Sequence, residues 1–379
     1  MKERTSVGTV DDLHEAASRM TGLDDFGSDD YLEPLGVLVD SLNTEAGLTS
    51  LGYGWQRSSV RGALAARLLS QAAFGSNPTY ADVAVPRPVF VTGMRRSGTT
   101  LMQRLLAADP GSQVLEMWLT QLPQPRPPRE TWDDDPIYAA MRFGFDAHQE
   151  AHPEIAAIHY THADTSEECW YLLQQSFLSA SWPALAHVPS YRAFLQDPTT
   201  DWSPAYRRHR QNLQLIGLHD QDKHWVLKNP SHLASLDALL EVYPDAMIVV
   251  THRDPVVAVT SSCSLAAVST RGWSETFVGQ QLGHDVLDWA AWELEQFADA
   301  RRRHPEATIV DVEYDDLVRD PIGTLRHLYP RIGLGWHDEI EQRMELEYEA
   351  SRSGPRAPRH QYELSDYGLT PTQVLNRLS

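Results

Sequence analysis

Two clusters of residues have the composition and spacing of anion chemistry. The first is Gly93-Met94-Arg95-Arg96-Ser97-Gly98-Thr99-Thr100. Its glycines let a backbone turn tightly and approach a ligand closely. Ser97, Thr99 and Thr100 add hydroxyl donors, and Arg95 and Arg96 add charge. The spacing G-x-x-x-x-G is that of a nucleotide phosphate loop, which continues with Lys and then Ser or Thr. Here Thr99 stands at the lysine position, and the cationic charge lies inside the loop. An ATPase or GTPase uses that lysine on the β- and γ-phosphates and the next hydroxyl on Mg²⁺, so this loop is suited to a different anion. The second, which alone reads as readily as a surface ion-pair partner, is Arg253, with Ser261 eight residues on. A guanidinium grips a phosphate through two parallel hydrogen bonds, and eight residues bring Ser261 back to one face of a helix.

Both clusters need elements to hold them. Val89 to Thr92 is a short β-branched run with the pattern of a buried parallel strand, and Leu101, Met102, Leu105 and Leu106 after the loop share a helical face. The exposed N–H groups where such a helix begins bind phosphate oxygens. Trp225 to Leu227, Ala246 to Thr251 and Thr308 to Val312 are further strand candidates, and Val114-Leu115 is strand-like. Asp254-Pro255 has the form of a helix cap followed by proline at the first helical position. Arg253 then leaves the C-terminal end of a strand, where α/β folds bind ligands. Strands alternating with helices predict a parallel sheet flanked by helices. Residues 10–74 have helical periodicity, with Leu32, Leu35, Leu38, Val39 and Leu42 on one face and Leu64, Leu68 and Leu69 on another. We therefore expect a helical N-terminal extension over 1–85 and an α/β domain over 86–379. Residues 117–223 are expected to be a helical and loop insert that binds the acceptor. The insert carries Trp118, Trp132, Trp170, Trp182 and Trp202, residues equally suited to an aromatic pocket wall and to a core.

Arg96-Ser97-Gly98-Thr99-Thr100 resembles the 5'-phosphosulfate loop of sulfotransferases that use 3'-phosphoadenosine-5'-phosphosulfate (PAPS), in the arginine form of bacterial and Golgi-type members. Arg253 and Ser261 are similar to that family's 3'-phosphate pair. The resemblance is strong over 88–116 and 224–262, weaker over 304–335, and suggestive over 355–378, where Arg356, His360 and Tyr362 resemble a segment closing over the nucleotide. It implies a P-loop NTPase-like fold, PAPS as donor, no metal, and sulfuryl transfer to an acceptor hydroxyl, such as that of a carbohydrate or glycolipid. Nucleotide contacts are then expected from Arg95, Arg96, Ser97, Gly98, Thr99, Thr100, Arg253, Ser261 and Arg356. In-line transfer rests on positioning and charge neutralisation, for which the resemblance points to Arg96 and to Lys228. Two residues compete as the base on the acceptor hydroxyl. Glu116 matches the glutamate of Golgi-type members, and His232 follows the lysine as in cytosolic members. The departure Lys228-Asn229-Pro230-Ser231-His232 from the cytosolic Lys-Thr-His pattern favours Glu116.

Composition bounds the alternatives. The 379 residues carry a net charge of −20, which excludes a broad nucleic-acid surface, since phosphate backbones require a basic stripe. Two cysteines, Cys169 and Cys263, fit a reducing cytoplasm rather than a disulfide framework. The N-terminus lacks the apolar run of a signal peptide, and no stretch has the length and apolarity of a membrane span. Three rival readings remain: an ATP-dependent kinase on the same fold, a non-catalytic nucleotide-binding protein, and a metalloenzyme using His148 and His152 with His159 and His162. The acceptor's identity and the oligomeric state are not encoded in these patterns.

Overall fold

The computed structural model describes residues 4–151, 161–352 and 363–378. Five strands form one sheet: β1 (Val89–Gly93), β2 (Ser112–Gln113), β3 (His224–Lys228), β4 (Met247–His252) and β5 (Thr308–Glu313). Their order is β2-β3-β1-β4-β5, and every pairing is parallel. Four of the strands coincide with the apolar runs. The fifth differs: the strand is Ser112–Gln113, opposite His224 and Trp225, rather than Val114-Leu115. Two residues pairing at a sheet edge leave no periodic signature.

β1 is buried along its whole length because strands lie on both sides and helices cover both faces, which is why its sequence is continuously apolar rather than alternating. Its register sets Gly93 beside Thr251 of β4. The segments following β1 and β4 therefore emerge next to one another, at the strand ends where α/β sheets place ligands.

Three helices precede the sheet: α1 (Val10–Thr21), α2 (Leu32–Thr44) and α3 (Ser50–Ser76). Thr9 and Asp12 close a reciprocal capping box at the start of α1, and Gly22 ends it in the left-handed conformation. Leu35, Leu38, Val39 and Leu42 of α2 and Leu64 and Leu68 of α3 are buried in one cluster with Phe177, Trp182 and Tyr191. The N-terminal helices thus share a core with the 117–223 segment, each fully buried leucine contributing about 1.5–3 kcal/mol. Arg67 of α3, almost fully buried, donates to the carbonyls of Phe26, Ser28 and Gln175 and ties both parts together. Among the described residues of 117–223 there is no strand. Both cysteines are buried and free.

Candidate functional site

The glycine loop joins β1 to α4 (Thr99–Ala107). Ser97 is fully buried, and its hydroxyl lies 2.7 Å from the Thr251 hydroxyl, locking the loop to β4. Gly98 begins α4 at φ +98°, and a Cβ there would lie 2.5 Å from the Tyr314 ring. Both facts require glycine. Arg96 also occupies the left-handed region, at φ +69°, a conformation that a non-glycine residue holds only where its surroundings fix it.

Those surroundings are the second cluster. Arg96 Nε donates to Ser261 Oγ at 3.0 Å, and an Arg253 amine donates to the Arg96 carbonyl at 3.0 Å. Arg253 stacks on Tyr314, 4.2 Å from its ring centroid, and Tyr314 covers Gly98. Asp254 caps the helix Pro255–Ser269 through Val257 N–H, which fixes where Ser261 lies. Two segments more than 150 residues apart in sequence therefore assemble one cationic cradle. Arg95 turns inward, donating to Ser231 Oγ at 2.9 Å and pairing at 3.4 Å with Glu293, a buried carboxylate of the helix Gly279–Arg303.

The cradle opens into a cleft of about 650 Å³. Arg96, Thr99, Thr100 and Arg253 line one part of it. Trp170, Tyr171, Leu185, Trp273 and Trp289 line another, making that part largely apolar. Of the five tryptophans in the 117–223 segment, only Trp170 lines the cleft; Trp118, Trp132, Trp182 and Trp202 are core residues. Trp273 and Trp289 come from outside that segment and carry no sequence signal that separates them from core.

Lys228 ends β3 and is 1% exposed. Its ammonium is paired with Glu168, which lines the cleft. Sequence reasoning missed Glu168. It follows a second glutamate, Glu167, in an irregular stretch that the Cys169 N–H bond to the Lys228 carbonyl (2.9 Å) ties to β3. Glu167 is buried, and its carboxyl is pushed up to about 7 by desolvation, with Lys228 opposing and Glu168 adding to the rise.

Neither residue expected as base lines the cleft. Glu116 is partly buried and pairs with Arg126 (3.1 Å), which also binds Asp220 and the carbonyl of Val114. Burial pushes the Glu116 carboxyl up, and Arg126 pulls it down. His232 is 1% exposed. Its Nδ1 meets the Tyr206 hydroxyl at 2.7 Å, its Nε2 has no partner, and its ring stands edge-on to Phe90. Burial, then the neighbouring His209, hold its pKa well below the usual imidazole range. Glu116 is held by Arg126 and His232 is enclosed in the core, and neither is part of the cleft lining. Arg356, His360 and Tyr362 lie outside the described residues, as do His152, His159 and the side chain of His148. His162 bonds to Asp164 and Asp146, and among the described residues no group of three or more metal-ligating side chains converges. No helix among them is long and apolar enough to cross a membrane.

A model of the sulfotransferase family matches residues 88–338. Among curated proteins, the chain is 26% identical over 284 residues to the omega-hydroxy-beta-dihydromenaquinone-9 sulfotransferase Stf3 of Mycobacterium tuberculosis, a match covering 69% of this chain and 66% of that protein. Among solved structures it is similar to sulfotransferase STF1 of Mycobacterium tuberculosis H37Rv, with a TM-score of 0.92 and 50% identity over 99% of this chain and 100% of that one. It is also similar to sulfotransferase STF9 of Mycobacterium avium, with a TM-score of 0.87 and 29% identity over 100% of this chain and 96% of that one.

Proposed function

The chain belongs to the sulfotransferase family, and from that premise we propose that it moves a sulfuryl group from PAPS to the hydroxyl of a lipid. The observation that carries the donor half is the joining of the two clusters, with Arg96 held through its side chain by Ser261 and through its carbonyl by Arg253. The first turn of α4 has N–H groups without intrahelical acceptors. These, with Thr99 and Thr100, would hold the 5'-phosphosulfate, while Arg253 and Ser261 would hold the 3'-phosphate. The apolar walls around Trp170, Leu185 and Trp289 favour an acceptor with a hydrocarbon body, in line with the lipid acted on by Stf3.

The reaction then follows from placement. Glu168, a carboxylate that lines the cleft and pairs with Lys228, takes the proton from the acceptor hydroxyl. The acceptor oxygen forms a bond to sulfur as the bond from sulfur to the 5'-phosphate oxygen breaks. The departing adenosine 3',5'-bisphosphate carries the new negative charge, which Arg96 and Lys228 neutralise. Glu168 is thus proposed in place of Glu116 and His232.

Calorimetric titration with adenosine 3',5'-bisphosphate, against Mg-ATP as control, tests the donor half. Metal-independent binding of the bisphosphate with much weaker ATP binding is expected. Preference for Mg-ATP would replace this reading with the kinase one.

A further inference from the structure

Helix α3 begins beside the cleft and contacts two residues of its apolar part, Trp273 and Leu185. Thr49 caps it and also donates to the Gly272 carbonyl at 2.7 Å. The Gly52 Cα approaches so closely that a Cβ would lie 1.9 Å from the Trp273 carbonyl oxygen. One turn on, the Trp55 ring stacks on Trp273 at 5.3 Å and 19°, and Trp273 lines the cleft. On the other side Gln56 donates to the carbonyl of Leu185, a second cleft residue, at 3.5 Å.

The outward face of these turns is apolar and open. Trp55 is 48% exposed and Leu51 is 53% exposed. The other exposed positions on that face are Gly54, Ser58 and Gly62, so no charge interrupts it over three turns, in a chain whose net charge is −20. Arg57 and Arg61 follow one turn apart along its edge, and Arg4 and Arg61 stand close enough for their charges to act on Arg57, with Asp12 opposing. Arg271 is exposed on the loop that carries Trp273, where Glu275 is the exposed acidic group. An apolar ledge of tryptophan and leucine edged by arginine has the chemistry of the interfacial zone of a bilayer, where indole rings sit at headgroup level and guanidiniums meet lipid phosphates.

We propose that the first three turns of α3, with Leu51 and Trp55 foremost, dock this protein on the surface of an anionic lipid bilayer. The inference rests on the lipid-acceptor reading of the cleft. It adds a route: the ledge runs from Trp55 across Trp273 into the cleft, so an acceptor leaves the membrane without exposing its tail to water. The Trp55–Trp273 contact is the continuous apolar path between bilayer and site.

The test is sedimentation of the full chain with vesicles of phosphatidylcholine alone and of phosphatidylcholine with phosphatidylglycerol. The comparison is the double variant Leu51→Ser, Trp55→Ser. We expect the parent chain to partition onto the anionic vesicles and the double variant to bind them at least about tenfold less. Both should bind adenosine 3',5'-bisphosphate equally. A parent chain that stays in the supernatant with both vesicle types overturns the proposal, as does a double variant that sediments equally well. So does a concentration-dependent dimer abolished by the double substitution without vesicle binding, which would assign the ledge to a second copy of the chain. The two readings fail separately. Sedimentation through Leu51 and Trp55 by a protein that sulfates no lipid leaves docking standing and removes the lipid acceptor. Sulfation of detergent-dispersed lipid without sedimentation does the reverse.

Discussion

Replacing Glu168 with Gln separates the proposed chemistry from the architecture around it. The substitution keeps the shape and an acceptor oxygen, and it removes the negative charge beside Lys228. Loss of a general base costs about 10²–10⁴-fold in rate, equivalent to about 3–5 kcal/mol of transition-state stabilisation at 1.36 kcal/mol per decade. The structure also sets a stability cost. Lys228 is 1% exposed, and a buried cation that loses its partner destabilises a fold by about 3–5 kcal/mol when nothing replaces the contact. The glutamine oxygen still accepts a hydrogen bond, so the lower end of that range is expected, which a domain stable by about 5–15 kcal/mol survives. The assay is transfer of labelled sulfate from PAPS to a lipid alcohol, with kcat followed against pH. Calorimetry with adenosine 3',5'-bisphosphate and thermal melts accompany it. We expect kcat to fall at least about a hundredfold and bisphosphate affinity to change little. Retention of more than about a tenth of kcat in folded protein would refute Glu168 as base. If Glu116→Gln alone then abolished turnover in folded protein, the role would pass to Glu116.

Three further outcomes follow from the same geometry. Arg253→Ala removes a charge-assisted contact and should weaken adenosine 3',5'-bisphosphate binding by about 1.5–3 kcal/mol in calorimetry, with the melting temperature little changed. Gly98→Ala forces a side chain into the left-handed region and against Tyr314. It should cost at least about 1–3 kcal/mol of stability in denaturant titrations and abolish bisphosphate binding together with it. Glu167→Gln concerns pH. The Glu167 carboxyl rises from an ordinary 4.5 to about 7 in the folded protein, so the folded state holds a proton that the unfolded chain has released between those values. Stability from this group is therefore greatest below about 4.5 and is lost as pH rises to about 7, by up to about 3 kcal/mol. The glutamine variant should lack that loss and be more stable than the parent at pH 8; equal pH dependence of the two unfolding curves would contradict it.

Much of this was readable from the residues. β1, β3 and β4 announce themselves because buried parallel strands are continuously apolar, and the edge strand β5 by its β-branched run Thr308 to Val312. The loop at Gly93–Gly98 and the Asp254-Pro255 cap are local chemistry, set by what the nearby backbone needs, and the family resemblance added to them Arg96, Arg253 and Ser261, so these could be singled out without a structure. The base could not. Glu116 follows β2, Glu168 lies in an irregular stretch far from any strand in sequence, and His232 lies four residues from Lys228. What separates them is that Arg126 arrives from ten residues downstream to seal Glu116, that Tyr206 and Phe90 enclose His232, and that the Cys169 N–H anchors Glu168 beside Lys228. The same holds for the tryptophans, whose division into core and cleft wall depends on which helix covers each ring.

The sequence by itself determined four of the five strands, their parallel direction and the glycine loop, because each follows from short-range periodicity or from a turn that only certain residues can make; the arginine–serine pair was legible through the family resemblance. The tertiary structure decided the order of the strands in the sheet, that Glu168 rather than Glu116 or His232 lines the cleft, which tryptophans line it, and that α3 packs against its lining. Those depend on burial and on contacts between residues far apart in the chain, such as Gln56 with Leu185 and Trp55 with Trp273, and no local pattern records where a distant segment will pack.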